Sequence, residues 1–215
     1  MRPPESWAKA PFTLWMSVAV AAAWLVVTLM GLDGWATVWG GFIPARLGGA
    51  AAESGLALAP AWLTPFTAAF VHANLIHLGF NLLVLVFCGR PTETVLGTKG
   101  FLLLYLLGAY AAAAAHWLIQ PGDMIPMIGA SGAISAVLGA YAMLFGRNRV
   151  KVASPRLALW LNALWLMAAW VVLQVIIGIS FASGGVHVAI AAHIGGFLVG
   201  LLLAYPLLML KYRKA

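Results

Sequence analysis

The stretch MIGASGAISAVLGAY, Met127–Tyr141, carries no charge and sets one hydroxyl, Ser131, between glycines in a run of apolar and small residues. Either the serine is packing filler or it is a nucleophile working inside a membrane. The surrounding composition says which solvent it meets. Hydrophobic residues make up 64% of the chain and charged residues 8%, against roughly a quarter charged in a soluble domain. So few polar side chains cannot coat a water-facing surface, and the solvent of this chain is largely lipid.

Apolar runs of about the 20 residues a spanning helix needs recur near 12–32, 69–88, 101–119, 128–145, 157–179 and 188–210. No repeat period is evident, and no loop is long enough to fold separately. The expectation is therefore an all-α, polytopic bundle of six transmembrane helices, with residues 1–215 forming one membrane-embedded domain. Arg2 and Lys9 precede the first run, which continues well past the small residues of AVAAAW, so it reads as an uncleaved span rather than a signal peptide.

Charge gives the orientation. With the N-terminus in the cytoplasm, the inner segments hold Arg2, Lys9, Arg90, Lys99, Arg147, Arg149, Lys151, Arg156, Lys211, Arg213 and Lys214, which is all but one of the 12 basic residues. Arg46 falls outside with Asp33, Glu53 and Asp123. An excess of Lys and Arg marks cytoplasmic loops, so both termini are expected in the cytoplasm. The net charge of +7 is thus a topology signal, scattered between apolar runs rather than gathered into a nucleic-acid-binding face. The longest connection, 33–65, carries Trp35, Trp39 and Trp62 and is expected to lie half-sunk on the outer surface. Cys88 is the single cysteine, so no intrachain disulfide forms.

Orientation places polar residues at one depth. The second, fourth and sixth spans all run from outside to inside, and His77, Asn81, Ser131 and His193 lie early in them. At ~1.5 Å rise per residue each sits about 5–20 Å below the outer edge. His77 and Asn81, four apart, share a helix face. Ser131, Ser135 and Gly139 form one small-residue stripe; His193, Gly196 and Gly200 form another. Such stripes let helix backbones approach closely in lipid, and packing the two together brings His193 against Ser131. Taken singly, each residue has a plainer reading: the serine as packing, the histidines as hydrogen bonders, Asn81 as an interhelical tie. Their conjunction at one depth points to function, because polar groups in a bilayer are costly.

No Asp or Glu falls inside any span, which leaves a Ser–His dyad rather than a triad. His193 would act as general base toward Ser131 and then protonate the leaving amine. The backbone N–H of Ser131, the Asn81 amide and the His77 imidazole are suitable donors for an oxyanion. Hydrolysis also requires a water-accessible cavity open to the outside. His-Glu-x-x-His is absent, and a metal or haem site from His72, His77, His193 and Cys88 would have no supporting acid.

These residues resemble the rhomboid family of intramembrane serine proteases. HANLIHLGFN looks like the family's His-x4-His-x3-Asn element, with His72, His77 and Asn81. GASG, with Gly129, Ser131 and Gly132, is similar to its Gly-x-Ser-Gly nucleophile motif, and AAHIGGFLVG to its Ala-His-x-x-Gly-x-x-x-Gly element, with His193, Gly196 and Gly200. GRPTETVLGTKGF resembles the acidic segment after the second span and makes Glu93 a structural residue. The resemblance covers residues 12–210. It implies a six-helix rhomboid-like bundle that cleaves transmembrane segments of other proteins near the outer side of the bilayer, without a cofactor. It also implies Ser131 and His193 as the dyad, His77 and Asn81 at the oxyanion hole, His72 in support, and lateral substrate access near the second and fifth spans. Family substrates tend to have helix-breaking residues, with a small residue at the cut.

Two departures stand out. Many bacterial members have a tyrosine one turn after the nucleophile, stacked on the histidine; here that position is Ser135. The Trp-Arg pair common in the first loop is absent, and PARLGG offers Arg46 without the tryptophan.

Elsewhere, His116 and His187 read as interfacial residues, and Trp160, Trp165 and Trp170 as lipid or packing contacts, their five-residue spacing scattering them around a helix. Gln174 is either a lining of the water cavity or an interhelical hydrogen bonder. SFASGG, 180–185, is either a mobile cap or an ordinary outer loop. The Ala-rich chain without a targeting presequence points to a prokaryotic plasma membrane. Two rivals to the protease are a non-catalytic scaffold, which would usually lack the serine or the histidine, and a transporter, which would carry intramembrane acids or inverted repeats. Nothing in the sequence sets an oligomeric state.

Overall fold

Pro11 opens helix α1 (Pro11–Leu29), where its missing N–H costs nothing and its fixed φ suits the first turn. Gly31, at φ 67°, closes it in the left-handed conformation, with Leu32 N–H donating to the Val27 carbonyl. The computed structural model describes residues 9–48, 58–146, 154–181 and 189–212. Arg2, Glu53, Arg147, Arg149, Lys151, His187, Arg213, Lys214 and most of the 180–185 cap lie outside them.

The remaining elements are α2 (Asp33–Gly40), α3 (Thr64–Thr67), α4 (Leu75–Val84), α5 (Arg90–Ile119), α6 (Ser131–Phe145), α7 (Pro155–Phe181) and α8 (Ile190–Tyr212). Short 3-10 turns follow α2 and α3, and a π-turn at Leu85–Gly89 joins α4 to α5. Among the described residues the structure is all helical, its one β-type pairing an isolated bridge between Phe42 and Met127. Four stretches are long and apolar enough to cross a membrane: Pro11–Leu29, Leu75–Ile119, Pro155–Ile176 and Ile190–Tyr212. The protein is therefore a multi-pass integral membrane protein.

Several boundaries differ from the hydropathy reading. The second apolar run is expected from residue 69, but α4 begins at Leu75, because Asn74 caps it by accepting the His77 N–H at 2.8 Å. His72 consequently lies off the helix, in an extended segment. The third run is expected from 101, yet helix extends back to Arg90, interrupted at Gly97 (φ 76°, ψ 158°). The fourth is expected from 128 but starts at Ser131, since Gly129 holds a φ of 104° that no helix continues through.

Helix α6 occupies the centre. Every residue from Ser131 to Ala140 is buried, and Ile134, Val137 and Ala136 join Phe101, Leu104, Tyr105 and Phe197 in one core. At ~1.5 Å per residue, its 15 residues span only about 22 Å, short of the ~30 Å hydrocarbon layer. Helices α5 and α8 wrap it. α1 and α7 turn large apolar side chains outward, among them Trp15, Leu29, Leu164 and Val172.

The carboxyl group of Glu93 is fully buried and accepts four hydrogen bonds: from the N–H of Phe12 at 2.9 Å, the N–H and hydroxyl of Thr13 at 2.7 Å each, and the Thr98 hydroxyl at 2.9 Å. It thereby satisfies the otherwise unpaired first-turn donors of α1 and ties that helix to α5. Glu93→Ala is expected to destabilise the protein by roughly 3 kcal/mol, because buried donors are left unpaired. Glu93→Gln, which keeps an acceptor, should lose less. Thermal unfolding in detergent measures both; a midpoint unchanged in Glu93→Ala would contradict this role.

The two ends of the bundle differ in chemistry. At one, Thr94 donates to the Lys9 carbonyl at 3.4 Å, while Lys211 Nζ donates to the carbonyls of Thr94 and Val95 at 3.0 and 2.9 Å. At the other, the segment after α2 is tied down. Ala45 N–H donates to the Asp123 carbonyl at 3.0 Å, and Arg46 Nη2 to the Ala59 carbonyl at 2.6 Å. Trp35 and Trp39 stack there, 5.3 Å apart. Arg46 thus anchors the first loop through backbone, without a partner tryptophan.

Candidate active site

The chain enters α6 through Gly129 and Ala130. A side chain on Gly129 is barred twice, by its positive φ and because its Cβ would come within 2.7 Å of His77 Cε1 and Nε2. The backbone there is pinned by Gly129 N–H to the Ala68 carbonyl at 2.9 Å and, more weakly, by Ala130 N–H to His72 Nε2 at 3.5 Å. Ser131 is therefore the first residue of the helix, buried, with a first-turn N–H that has no intrahelical acceptor.

Helix α8 approaches backbone to backbone. A Cβ on Gly200 would overlap the Ala136 carbonyl, one on Gly196 the Gly132 carbonyl, and one on Gly139 the Phe197 carbonyl. Gly132 itself faces α5, where its Cβ would lie 2.6 Å from that of Ala112. Close contact along these stripes carries His193, one turn above Gly196, to Ser131: His193 Nε2 and Ser131 Oγ are 2.8 Å apart, both side chains buried. With Nδ1 protonated, Nε2 accepts the hydroxyl proton. Among the described residues, Nδ1 has no hydrogen-bond partner.

Three further groups surround the pair. His72 and His77 meet edge to face at 5.0 Å. Asn81 is buried, its Nδ2 donating to the His77 carbonyl one turn back at 3.0 Å, and that same nitrogen would lie 3.8 Å from a Gly129 Cβ. Ser135 donates to the Ser131 carbonyl at 2.7 Å and accepts from Trp170 Nε1 at 2.8 Å. No group of three or more His, Cys, Asp or Glu side chains able to hold a metal ion occurs among the described residues.

A sequence model of the Rhomboid domain matches residues 59–210, a stretch that contains all of these groups. The chain belongs to the rhomboid family. It is 29% identical over 157 residues to "Rhomboid protease GluP" of Bacillus subtilis (strain 168), covering 73% of this chain and 28% of that protein. Over 147 residues it is 31% identical to "Rhomboid protease GlpG" of Pectobacterium atrosepticum, covering 65% and 46%. It is 39% identical over 84 residues to "Rhomboid-like protein 11, chloroplastic" of Arabidopsis thaliana, covering 39% and 29%. The chain thus matches less than half the length of each of these relatives.

Some residues of this rhomboid sit otherwise than expected. His116, in the last turn of α5, is buried within the protein, its Nε2 3.3 Å from Asp123 Oδ2, which closes the start of the α5–α6 connection. Trp160 and Trp165 are 48% and 71% exposed, as lipid contacts should be, but Trp170 is 4% exposed and reaches the site. Its ring lies 6.3 Å from that of His193 at 73°. The five-residue tryptophan spacing carries no signal for this, since it separates the three around the helix without saying which one faces inward. Gln174, one turn further along α7, is buried too, and its Nε2 has no hydrogen-bond partner among the described residues.

Proposed function

We propose that this rhomboid is an intramembrane serine endopeptidase that cleaves transmembrane segments of other membrane proteins near the outer side of the bilayer. The observation that carries the proposal is the buried 2.8 Å contact between Ser131 Oγ and His193 Nε2 at the start of a short central helix. The names of the bacterial relatives, both called proteases, agree with it.

In the proposed reaction Ser131 Oγ attacks the scissile carbonyl carbon as its proton passes to His193 Nε2. The resulting oxyanion meets the free first-turn N–H of Ser131, the positive end of the α6 dipole, and the side chains of Asn81 and His77. Collapse expels the amine, which takes the proton from His193 and leaves an acyl-enzyme. Water, deprotonated by the same imidazole, then attacks the ester carbon, and the serine leaves with its proton restored. Gly129 is what lets His77 stand so close to the nucleophile; His72 braces both from behind.

Six crossings with both termini cytoplasmic are part of the same proposal. The 45 residues of Leu75–Ile119, broken at Gly97, are long enough for two crossings, and Ser131–Phe145 is a short further one. Lys9 and Lys211 share one end of the bundle and Asp123 lies at the other, which supports this orientation under the positive-inside rule; Arg46, at the Asp123 end, is the exception. Residues 1–215 would act as one domain in a prokaryotic plasma membrane, with lipid and substrate helices as neighbours.

The test is cleavage of fluorogenic transmembrane peptides by the protein purified in detergent, with a fluorophosphonate probe labelling Ser131. Cleavage that survives in Ser131→Ala would overturn the proposal. Within it, Asn81→Ala is expected to lower kcat by about 10²-fold, the cost of one missing oxyanion donor, with little change in KM. A loss confined to KM would make Asn81 a substrate contact instead.

A further inference from the structure

His193 faces an unusual demand. A general base must hold its ring in one orientation, and that is ordinarily done by a hydrogen bond from its second nitrogen to a carboxylate or carbonyl. Here Nδ1 has no such partner among the described residues, and α4, α6, α7 and α8 contain no acid. Beside the ring stands Trp170 of α7, nearly perpendicular to it at 6.3 Å between centroids. Aromatic pairs favour edge contacts of this kind, at centroid separations of about 4.5–7 Å.

Trp170 is itself held. Its indole Nε1–H donates to Ser135 Oγ at 2.8 Å, and the Ser135 hydroxyl donates in turn to the Ser131 carbonyl at 2.7 Å. One chain of hydrogen bonds therefore runs from the tryptophan beside the base to the backbone of the nucleophile. Serine suits position 135 because it passes the bond on: its oxygen accepts from the indole while its hydrogen satisfies the carbonyl one turn back. Its Cβ also lies close to α8, 3.2 Å from where a Gly196 Cβ would stand.

We infer that Trp170, locked through Ser135 to the nucleophile's own turn, is the positioning residue for His193. It takes up and releases no proton; it acts by limiting where the imidazole can swing. This rests on the proposed Ser131–His193 dyad. It also assigns work to Ser135 that a packing serine in a small-residue stripe would not have.

The test compares wild type, Trp170→Leu, Trp170→Phe, Ser135→Ala and the Trp170→Phe/Ser135→Ala double variant. Each is measured for kcat and KM on a fluorogenic transmembrane peptide, for fluorophosphonate labelling of Ser131, and for thermal unfolding in detergent. Trp170→Leu, which loses both ring and donor, is expected to lower kcat by about 30–100-fold, the scale of a misplacement near 1 Å. Labelling should fall in parallel while KM stays within about two-fold. Trp170→Phe keeps a ring edge and should recover most of the loss. It and Ser135→Ala each break the same hydrogen bond, so the double variant should cost no more than the worse single one.

A folded Trp170→Leu that cleaves and labels like wild type would overturn the inference, as would a loss carried wholly by KM. If Trp170→Leu does not fold, the double variant decides: independent losses overturn the coupling, a shared loss supports it. Failure of the dyad proposal looks different, because wild type itself would then neither label at Ser131 nor depend on it.

Discussion

Ser131→Ala is expected to reduce peptide cleavage by at least ~10³-fold, and His193→Ala by a similar factor, as when a nucleophile or its base is removed. The two side chains act as one unit across a 2.8 Å contact. Removing both should therefore cost about as much as removing either, since a base without its nucleophile has nothing to activate. Non-additivity separates catalysis from architecture. If the contact merely tied α6 to α8, each variant would lose about 1 kcal/mol of stability, the net worth of an ordinary hydrogen bond, and cleavage would fall only as far as unfolding. Thermal unfolding in the same detergent makes the distinction. The expected result is a midpoint close to wild type with activity abolished. Covalent labelling adds a check independent of substrate: His193→Ala should slow fluorophosphonate attack on Ser131 even though the serine remains.

Much of this geometry was legible in the residues, for a specific reason. Small residues at helical spacing state both which face packs and how closely, so Ser131–Ser135–Gly139 and His193–Gly196–Gly200 defined the α6–α8 contact before any coordinate. Hydropathy does worse at ends. The run at 69–88 is apolar throughout, yet Asn74 accepts the His77 N–H and starts the helix at Leu75, leaving His72 in extended chain. Gly129 similarly stops α6 from reaching back to 128, and its φ of 104° is a backbone state that composition does not express. Trp170 was hidden for another reason. Spacing assigns residues to azimuths on a helix, but α7 is apolar on most sides, and the mark of the azimuth that meets Ser135 and His193 is a single polar residue, Gln174, one turn from Trp170. His116 and Asp123 lay in the same blind spot, being far from any motif and joined only by the fold.

Gly200→Leu is expected to cost at least ~10² in kcat/KM although it lies two turns from the dyad, because a displacement near 1 Å at the reacting atoms has that effect. A Cβ at this position would overlap the Ala136 carbonyl oxygen, a backbone atom fixed within the buried first ten residues of the central helix. The clash cannot be relieved by turning a side chain; the helices must separate. Their separation is what sets the 2.8 Å between His193 Nε2 and Ser131 Oγ, since Gly196, between His193 and Gly200, is in equally close contact with the Gly132 carbonyl. Gly200→Ala should show a smaller loss in the same direction, with labelling of Ser131 slowed and the unfolding midpoint lowered. Gly79→Ala is the matched control: that glycine also sits within a helix, but nothing lies within 4 Å of its would-be Cβ. Alanine there should leave labelling unchanged and stabilise α4 by up to ~1 kcal/mol through helix propensity. Equal effects of alanine at 79 and 200 would mean that helix propensity, rather than the backbone contact between α6 and α8, governs the site.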